Sequence, residues 1–233
     1  IEEEVDGEKV DMTTEEAQIT NSTSVMLTTV AGDDYAIGYV SLGSLDDSVK
    51  ALKIDGAEAT AENIKSGDYK VSRPFNIATK TDMNNPTAED FISFIMSQEG
   101  QDVVAEEGYI PLDGAEAYAG DAPAGKVVVG GSSSVPPVME KLIEAYAEVN
   151  PDAEIELQTT DSTTGMESAI SGAYDIGMAS REVKEDELSA GLEAQVIATD
   201  GIAVVVNNNN PTDELTSDQV KSIYTGEALT WMR

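Results

Sequence analysis

The chain has 233 residues, 40% of them hydrophobic, which is enough to build one large or two small domains with a buried core. Its 45 acidic and 13 basic residues give a formal charge of −32, and a field of that sign and size argues against nucleic acid or anionic lipid as a partner. Histidine and cysteine are both absent, which excludes the commonest general base, thiolate metal ligands and a cysteine nucleophile.

The first part of the chain begins weakly patterned and then alternates between helical and extended signals. Residues 1–20 are acidic and predict a frayed helix or loop. Ser22 is suited to cap a helix that ends at Gly32. Residues 35–40 predict a buried strand in which Gly38 allows close backbone approach.

The next segments continue this alternation up to a stretch rich in small residues. A strand is expected at residues 50–54, a short helix at 61–65 and a strand from 69 to 77, where Pro74 indicates an edge or a bulge. Residues 86–108 have helical spacing throughout. Residues 113–125, rich in alanine, glycine and aspartate, predict a linker between two halves.

Two turns in the second half join a strand to a helix and carry hydroxyl side chains. A strand at 127–129 leads through glycines into three serines, of which Ser134 occupies the expected N-cap position before Pro136. A strand at 153–160 leads into Ser162 and a helix that ends at Gly172. Hydroxyls and backbone N–H groups at helix starts bind small oxyanions without a metal ion, although the serines are equally suited to act only as helix caps.

The remaining elements are strands at 175–180 and 202–206 and a helix whose Thr216-Ser217-Asp218-Gln219 start has capping-box spacing. Because strands alternate with helices along most of the chain, the sequence predicts an α/β fold with a largely parallel sheet.

Several of these segments resemble the phosphate-binding proteins of bacterial ABC phosphate transporters. The matching segments are VGGSSSVPPVM (129–139), DIGMASR (175–181), DGIAVVVN (200–207), IYTGE (223–227), AIGYVSLGSL (36–45), SQEGQ (97–101) and GYIP (108–111). The resemblance covers nearly the whole chain and rests on these segments in combination. It implies a two-lobed, periplasmic-binding-protein-like fold of type II, with mostly parallel sheets flanked by helices.

The order of the two halves is inverted relative to that family, in which the segment like residues 126–233 comes first. The resemblance implies that residues 1–112 match the family's C-terminal half (1–45 in lobe 2, 46–112 in lobe 1). It also implies that residues 126–233 match the N-terminal half (126–205 in lobe 1, 206–233 at the start of lobe 2). Circular permutation and a window cut from a tandem array both explain this order. The family's second-lobe anion loop, with an arginine and a Gly-Ser-Gly-Thr-like run, is not found in the sequence.

The resemblance also implies which residues hold phosphate: Ser133, Ser134, Val135, Ser162, Ser180, Arg181 and Asp200. Arg181 stands where some family members have an aspartate, and it is suited to bind an anion as a forked donor. Asp200 is the best remaining acceptor for a phosphate proton, with a solvated turn before a strand as the alternative. No spaced calcium loop is visible, so we expect neither a metal nor a cofactor.

These observations predict a bacterial extracytoplasmic solute-binding protein, not an enzyme, that captures inorganic phosphate for an ABC importer. Its partners would be the membrane subunits of the transporter, and the full-length protein would be periplasmic or anchored at the cell surface. The alternative is a scaffold or fragment that does not bind phosphate, folds through lobe 1 and self-associates. Catalysis by an activated serine is disfavoured because no lysine lies in the serine loops.

Overall fold

The computed structural model describes residues 2–5 and 8–231 and consists of strands and helices in alternation. The strands are β1 (Glu2–Val5), β2 (Glu8–Asp11), β3 (Ile37–Ser41), β4 (Val49–Ala51), β5 (Lys53–Ile54), β6 (Ser72–Lys80), β7 (Gly125–Ser132), β8 (Ala153–Thr160), β9 (Ile176–Ala179), β10 (Leu192–Asn207) and β11 (Glu214–Leu215). The helices are α1 (Thr23–Ala31), α2 (Ala61–Ser66), α3 (Pro86–Ile95), α4 (Gln98–Glu106), α5 (Pro136–Val149), α6 (Ser162–Ser171), α7 (Glu185–Ser189) and α8 (Ser217–Tyr224). None of the helices among the described residues is long and apolar enough to cross a membrane.

The chain divides into two compact units. Unit 1 comprises residues 1–40, 46–70 and 203–233, and unit 2 comprises residues 41–45 and 71–202. Residues 46–70 were predicted to belong with the segment that forms unit 2, and the structure places them in unit 1. They belong there because β4 pairs with residues 205–207 of β10, and β5 pairs with β11.

Unit 2 is built on a mixed sheet rather than on the largely parallel sheet that the sequence predicted. Its strand order is β10-β6-β9-β7-β8. β7 runs parallel to both β8 and β9, whereas β6 is antiparallel to both β9 and β10. Pro74 is tolerated in β6 because β9 pairs only with residues 76–78, so Pro74 lies where that side of β6 has no β9 partner.

Helices cover both faces of this sheet. The larger core lies on the face of α3, α4 and α5, where the apolar stripe of α5 (Val138, Met139, Leu142 and Tyr146) is fully buried. A smaller cluster on the other face packs α6, through Met166 and Ala169, against Ala78 and Ala179. The sheet is therefore covered on both sides, and its strand ends are the part that helices leave accessible.

Unit 1 contains α1, α2 and α8 with short strand pairs. Ser22 caps α1, and the α8 capping box joins Thr216 to Gln219, as the sequence predicted. Residues 2–5 and 8–11 form an antiparallel hairpin, so the predicted frayed helix or loop over residues 1–20 is wrong there; residues 1, 6 and 7 lie outside the described part. The Asn207 side chain ties the end of β10 to α1 by donating to the carbonyls of Val30 and Ala31.

The segment with helical spacing at residues 86–108 forms two helices. Ser97 interrupts the pattern because its hydroxyl accepts from the Gly100 N–H and so caps α4. Gly100 is required at this junction, since a Cβ there would lie 2.2 Å from the Phe94 carbonyl oxygen. The apolar periodicity alone predicts one helix over residues 86–108, and the Ser97 cap divides it into α3 and α4.

Residues 113–124 lie within unit 2 and do not link the two units. The Tyr118 hydroxyl and the Asp121 N–H both donate to the Asp90 carboxylate on α3, at 2.6 and 3.0 Å. The Tyr118 N–H donates to Glu99, and the Pro123 carbonyl accepts from Asn150 at the end of α5. Residues 113–124 thus have the composition of a linker but form a strap that is hydrogen-bonded to α3, α4 and the end of α5.

Candidate anion site

Three serines meet at the carboxyl ends of the parallel strands of unit 2. Ser132 is the last residue of β7, Ser180 follows β9, and Ser162 opens α6 directly after β8. The Ser132 hydroxyl donates to the Ser180 hydroxyl at 2.9 Å, and the Ser180 N–H donates to the Ser162 hydroxyl at 3.2 Å. The carboxyl ends of strands in open α/β sheets are where such proteins place small ligands.

The hydrogen bonds leave two hydroxyl protons of this cluster available. The Ser180 oxygen accepts from Ser132 and the Ser162 oxygen accepts from Ser180, and among the described residues no acceptor takes the proton of either hydroxyl. A hydroxyl whose oxygen already accepts is oriented to donate elsewhere. The cluster can therefore donate to a ligand oxygen.

Three glycines allow α6 to lie close against the strands that carry these serines. A Cβ at Gly165 would lie 2.7 Å from the Gly131 Cα, and one at Gly177 would lie 2.8 Å from the Gly165 carbonyl oxygen. Gly131 itself has φ +145° and faces Met178, whose carbonyl oxygen would be 2.2 Å from a Cβ. The close approach brings the start of α6, with Ser162, to the ends of β7 and β9.

The start of α5 differs from the sequence prediction. Its N-cap is Val135 and not Ser134, with no side-chain capping bond, and Pro136 and Pro137 follow. The Ser134 N–H donates to the Ser132 hydroxyl, and the Val135 N–H donates to the Ser132 carbonyl, both at a long 3.3 Å. Because the two prolines have no N–H, the first two residues of α5 offer no backbone donor to an anion.

At the start of α6 the cap is Asp161, so Ser162 is not the N-cap. The Asp161 carboxylate accepts from the Thr164 N–H at 2.9 Å and from its hydroxyl at 2.7 Å. These bonds lower the pKa of Asp161 and keep it charged. Since a carboxylate already occupies this helix start, the contribution of α6 to an anion site is the Ser162 hydroxyl.

Arg181 is engaged with α7. Its guanidinium donates to both carboxylate oxygens of Glu187, at 2.9 and 2.7 Å, and to the Glu182 carbonyl. The Glu187 hydrogen bond raises the pKa of Arg181, ahead of the opposing effect of burial. Its proposed role as a forked anion donor stays a prediction, and it would require the guanidinium to leave or share Glu187.

Asp200 lies inside β10 and is fully buried, so the alternative of a solvated turn is wrong. Its carboxylate accepts from the Ser41 hydroxyl at 2.7 Å and from Nε of Arg73 at 3.0 Å. Burial raises the pKa of Asp200, against the lowering effect of Arg73 and Ser41. Its role as an acceptor for phosphate also stays a prediction.

Arg73, the partner of Asp200, was not among the residues that the sequence predicted for the site. A signal for it was present, because Arg73 falls on the same alternating face of β6 as Phe75 and Ile77, both of which are buried. A cation in register with core residues needs a buried partner. In the described part of the chain, no group of three or more acidic side chains is placed to hold a metal ion.

Comparison with known proteins identifies the class of protein to which the chain belongs. The family model of the PBP superfamily domain matches residues 3–99 and 116–233. The chain is therefore a member of that superfamily.

Relatives within this superfamily narrow the assignment. The phosphate-binding protein PstS 2 of Streptococcus agalactiae serotype V is 59% identical over 225 residues, covering 97% of this chain and 77% of the relative. The crystal structure of a phosphate-binding protein of a phosphate ABC transporter from Streptococcus pneumoniae TIGR4 superposes with a TM-score of 0.74 at 41% identity, covering 96% of this chain and 87% of that one. PstS of Staphylococcus saprophyticus is 40% identical over 114 residues, 46% of this chain and 36% of the relative. The chain belongs to the PstS family of phosphate-binding proteins.

Proposed function

We propose that this chain binds inorganic phosphate at the serine cluster of unit 2 and delivers it, unaltered, to an ABC importer. The observation that carries the proposal is the convergence of Ser132, Ser162 and Ser180 at the strand ends, with two hydroxyl protons left for a ligand. Since the chain carries a formal charge of −32, an anion must be held by short hydrogen bonds of this kind and not by long-range attraction. Membership of the PstS family supports phosphate as the anion.

The partners follow from the same family. The chain would act outside the cytoplasm, where phosphate enters the importer, and it would dock on the membrane subunits of the transporter. Anchoring of the full-length protein at the cell surface is part of this proposal. Self-association stays a prediction that no contact in the described chain bears on.

Ser162→Ala is expected to weaken phosphate binding about 10-fold, because one hydrogen bond to a charged ligand contributes roughly 1.5 kcal/mol. Isothermal titration with phosphate, with sulfate as competitor, measures the change. Ser171→Ala is the matched control, since Ser171 ends the same helix, is exposed and bonds only to the Ser168 carbonyl. A wild-type chain that releases no heat with millimolar phosphate would sink the proposed function. Equal affinity in the Ser162→Ala variant would remove Ser162 from the site.

We further infer that the two halves of the chain stand in exchanged order relative to the staphylococcal phosphate-binding proteins. The support is that the Staphylococcus saprophyticus protein matches only 114 residues, although its identity of 40% over them is high. Two chains are matched residue by residue in sequence order. A chain whose two halves are exchanged can therefore match over only one half at a time. Joining residues 126–233 ahead of residues 1–112 should extend that match to most of both chains. A match that stays at one half would contradict the exchange.

A further inference from the structure

We propose that Arg73 is a further phosphate-binding residue of unit 2, with its guanidinium held in place by Asp200 and its two terminal nitrogens directed to ligand oxygens. This inference rests on the proposed function and adds a residue of β6 to it. Neither the serine motifs nor the names of the relatives assign a role to Arg73.

The basic residues of unit 2 differ in how far their donors are already used. Both terminal nitrogens of Arg181 are bound to Glu187. Three lysines form ion pairs at the surface, Lys80 with Asp82, Lys126 with Glu156 and Lys141 with Glu144, and the fourth, Lys184, is exposed at the start of α7. Arg73 differs, because Asp200 engages only its Nε, and within the described residues no acceptor lies in hydrogen-bonding range of its two Nη atoms. Its forked end is therefore still able to bind an anion.

The Arg73 side chain is also held in one orientation. Asp200 is opposite Arg73 in the β6–β10 register, is fully buried and is itself fixed by the Ser41 hydroxyl at 2.7 Å. The guanidinium carbon lies 5.7 Å from the centre of the Phe75 ring, so the side chain packs back along the strand. A cation oriented in this way loses little side-chain entropy when a ligand binds.

Arg73 lies at the same end of the sheet as the serine cluster. β6 is antiparallel to β9 with Asn76 opposite Ala179, so the residues before Asn76 extend past the carboxyl end of β9. The chain continues beside β6 there, because the Asn76 side chain donates to the Arg181 carbonyl at 2.9 Å. The carboxyl end of β9 is also where Ser180 contacts Ser132, so Arg73 and the two serines share this end of the sheet.

Tyr109 adds a second polar group to this end of the sheet. Its ring packs on Phe75 at a centroid distance of 5.3 Å, and its side chain is 2% exposed. The hydroxyl lies close enough to Ser41, Asp200 and Arg73 for them to influence its pKa, and burial raises that pKa to about 12. Its oxygen makes no hydrogen bond of good geometry among the described residues, although the Ser41 hydroxyl is close enough to lower its pKa. Buried hydroxyls are seldom left in this state, which marks the surroundings of Arg73 as a polar site.

The donor geometry of the Arg73 guanidinium suits phosphate as the ligand. A guanidinium fork places two parallel N–H donors at the spacing of two oxygens on one phosphorus, and it binds the doubly charged form of phosphate better than the singly charged form. The serine hydroxyls and Arg73 together would then supply neutral and charged donors to one phosphate ion.

Arg73→Gln tests this role in the full chain, with inorganic phosphate as the titrant. The dissociation constant is expected to rise by about 10- to 100-fold, because a hydrogen bond between charged partners contributes roughly 1.5–3 kcal/mol. In the wild type the affinity should increase between about pH 6 and pH 8 as phosphate becomes doubly charged, and the variant should lose much of that increase. Lys126→Gln is the matched control, since it removes the same charge at the opposite end of β7 from Ser132.

Arg73→Lys decides the matter should the glutamine variant fail to fold, because it keeps a positive charge beside Asp200 and removes the fork. We expect it to melt near the wild-type temperature and to bind phosphate about 10-fold more weakly. Dissociation constants within about twofold of wild type for the variants that fold would overturn the assignment, as would an equal loss in Lys126→Gln. A wild-type chain that binds no phosphate would instead overturn the proposed function.

Discussion

Gly131→Ala is expected to lower the free energy of unfolding by about 4 kcal/mol and to abolish measurable phosphate binding. A side chain at φ +145° is strained, at a cost of roughly 1–3 kcal/mol. Its Cβ would also lie 2.2 Å from the Met178 carbonyl oxygen, and that atom belongs to the backbone of a paired strand. β7 and β9 would have to separate, which moves Ser132 away from Ser180. Urea unfolding followed by circular dichroism, and phosphate titration of the folded fraction, measure both effects.

Gly172→Ala separates the clash from the backbone strain. Gly172 has φ +78° at the end of α6, and a Cβ there would have no atom within 4 Å, so only the conformational cost of about 1–2 kcal/mol remains. Phosphate affinity should then stay at the wild-type value. Similar losses of stability in the two glycine variants would show that the close contact between β7 and β9 does not require glycine at position 131.

Asp90→Ala is expected to cost about 4 kcal/mol of stability, since its carboxylate holds three donors together. The Tyr118 and Tyr146 hydroxyls both donate to one carboxylate oxygen at 2.6 Å, and the Asp121 N–H donates to the other. Asp90 is only 9% exposed, so alanine would leave the buried Tyr146 hydroxyl and the half-buried Tyr118 hydroxyl without this acceptor. The strap of residues 113–124 should also become sensitive to protease, because its attachment to α3 is lost. Urea unfolding and limited proteolysis test the two consequences.

Glu89→Ala is the control for Asp90, because it removes an exposed carboxylate from the neighbouring position of α3 and should cost less than about 1 kcal/mol. Asp90→Asn keeps one acceptor oxygen and should fall between the two. A strap that remains resistant to protease in the Asp90→Ala variant would mean that Glu99 and Asn150, which also bind it, are sufficient.

Local signals predicted the elements whose ends are set by their own side chains. Ser22, Gly172 and the Thr216–Gln219 capping box bound their helices as the sequence indicated, because a cap is a contact between residues close together along the chain. Gly38 was expected to allow close backbone approach, whereas its close neighbours are side chains of α1: a Cβ there would lie 2.7 Å from the Met26 sulfur atom.

Elements defined by distant partners were not predicted. The long strand β10 pairs with β6 across a bulge between Val196 and Ala198, and no periodicity in the sequence reports that pairing. The antiparallel pair of residues 2–5 and 8–11 joins two acidic segments whose composition is typical of a solvated surface. Residues 46–70 were assigned to the wrong unit because their strands are short and their partners lie in residues 205–215.

The residues of the candidate site also differ in whether local signals or distant partners define them. Ser162 was identified from a strand-to-helix turn and Ser180 from the family resemblance, and the structure brings them into hydrogen-bonding contact. Arg181 was chosen by its place in a motif, whereas its guanidinium is bound by Glu187 on α7, a helix that the sequence did not predict. Arg73 was passed over because its significance comes from Asp200, which lies on a strand far along the chain.

The division of the chain into units has a consequence for the order in which it can fold during synthesis. Unit 2 is almost one continuous run, residues 71–202, with β10 completing its sheet only when the last of these residues is available. β4 and β5 of unit 1 pair with residues 205–207 and 214–215, so neither strand can pair before those residues are synthesised. The strands of residues 49–54 are therefore left without these partners while the serine-bearing unit is synthesised behind them, and long-range pairing of this kind is slow and exposed to aggregation.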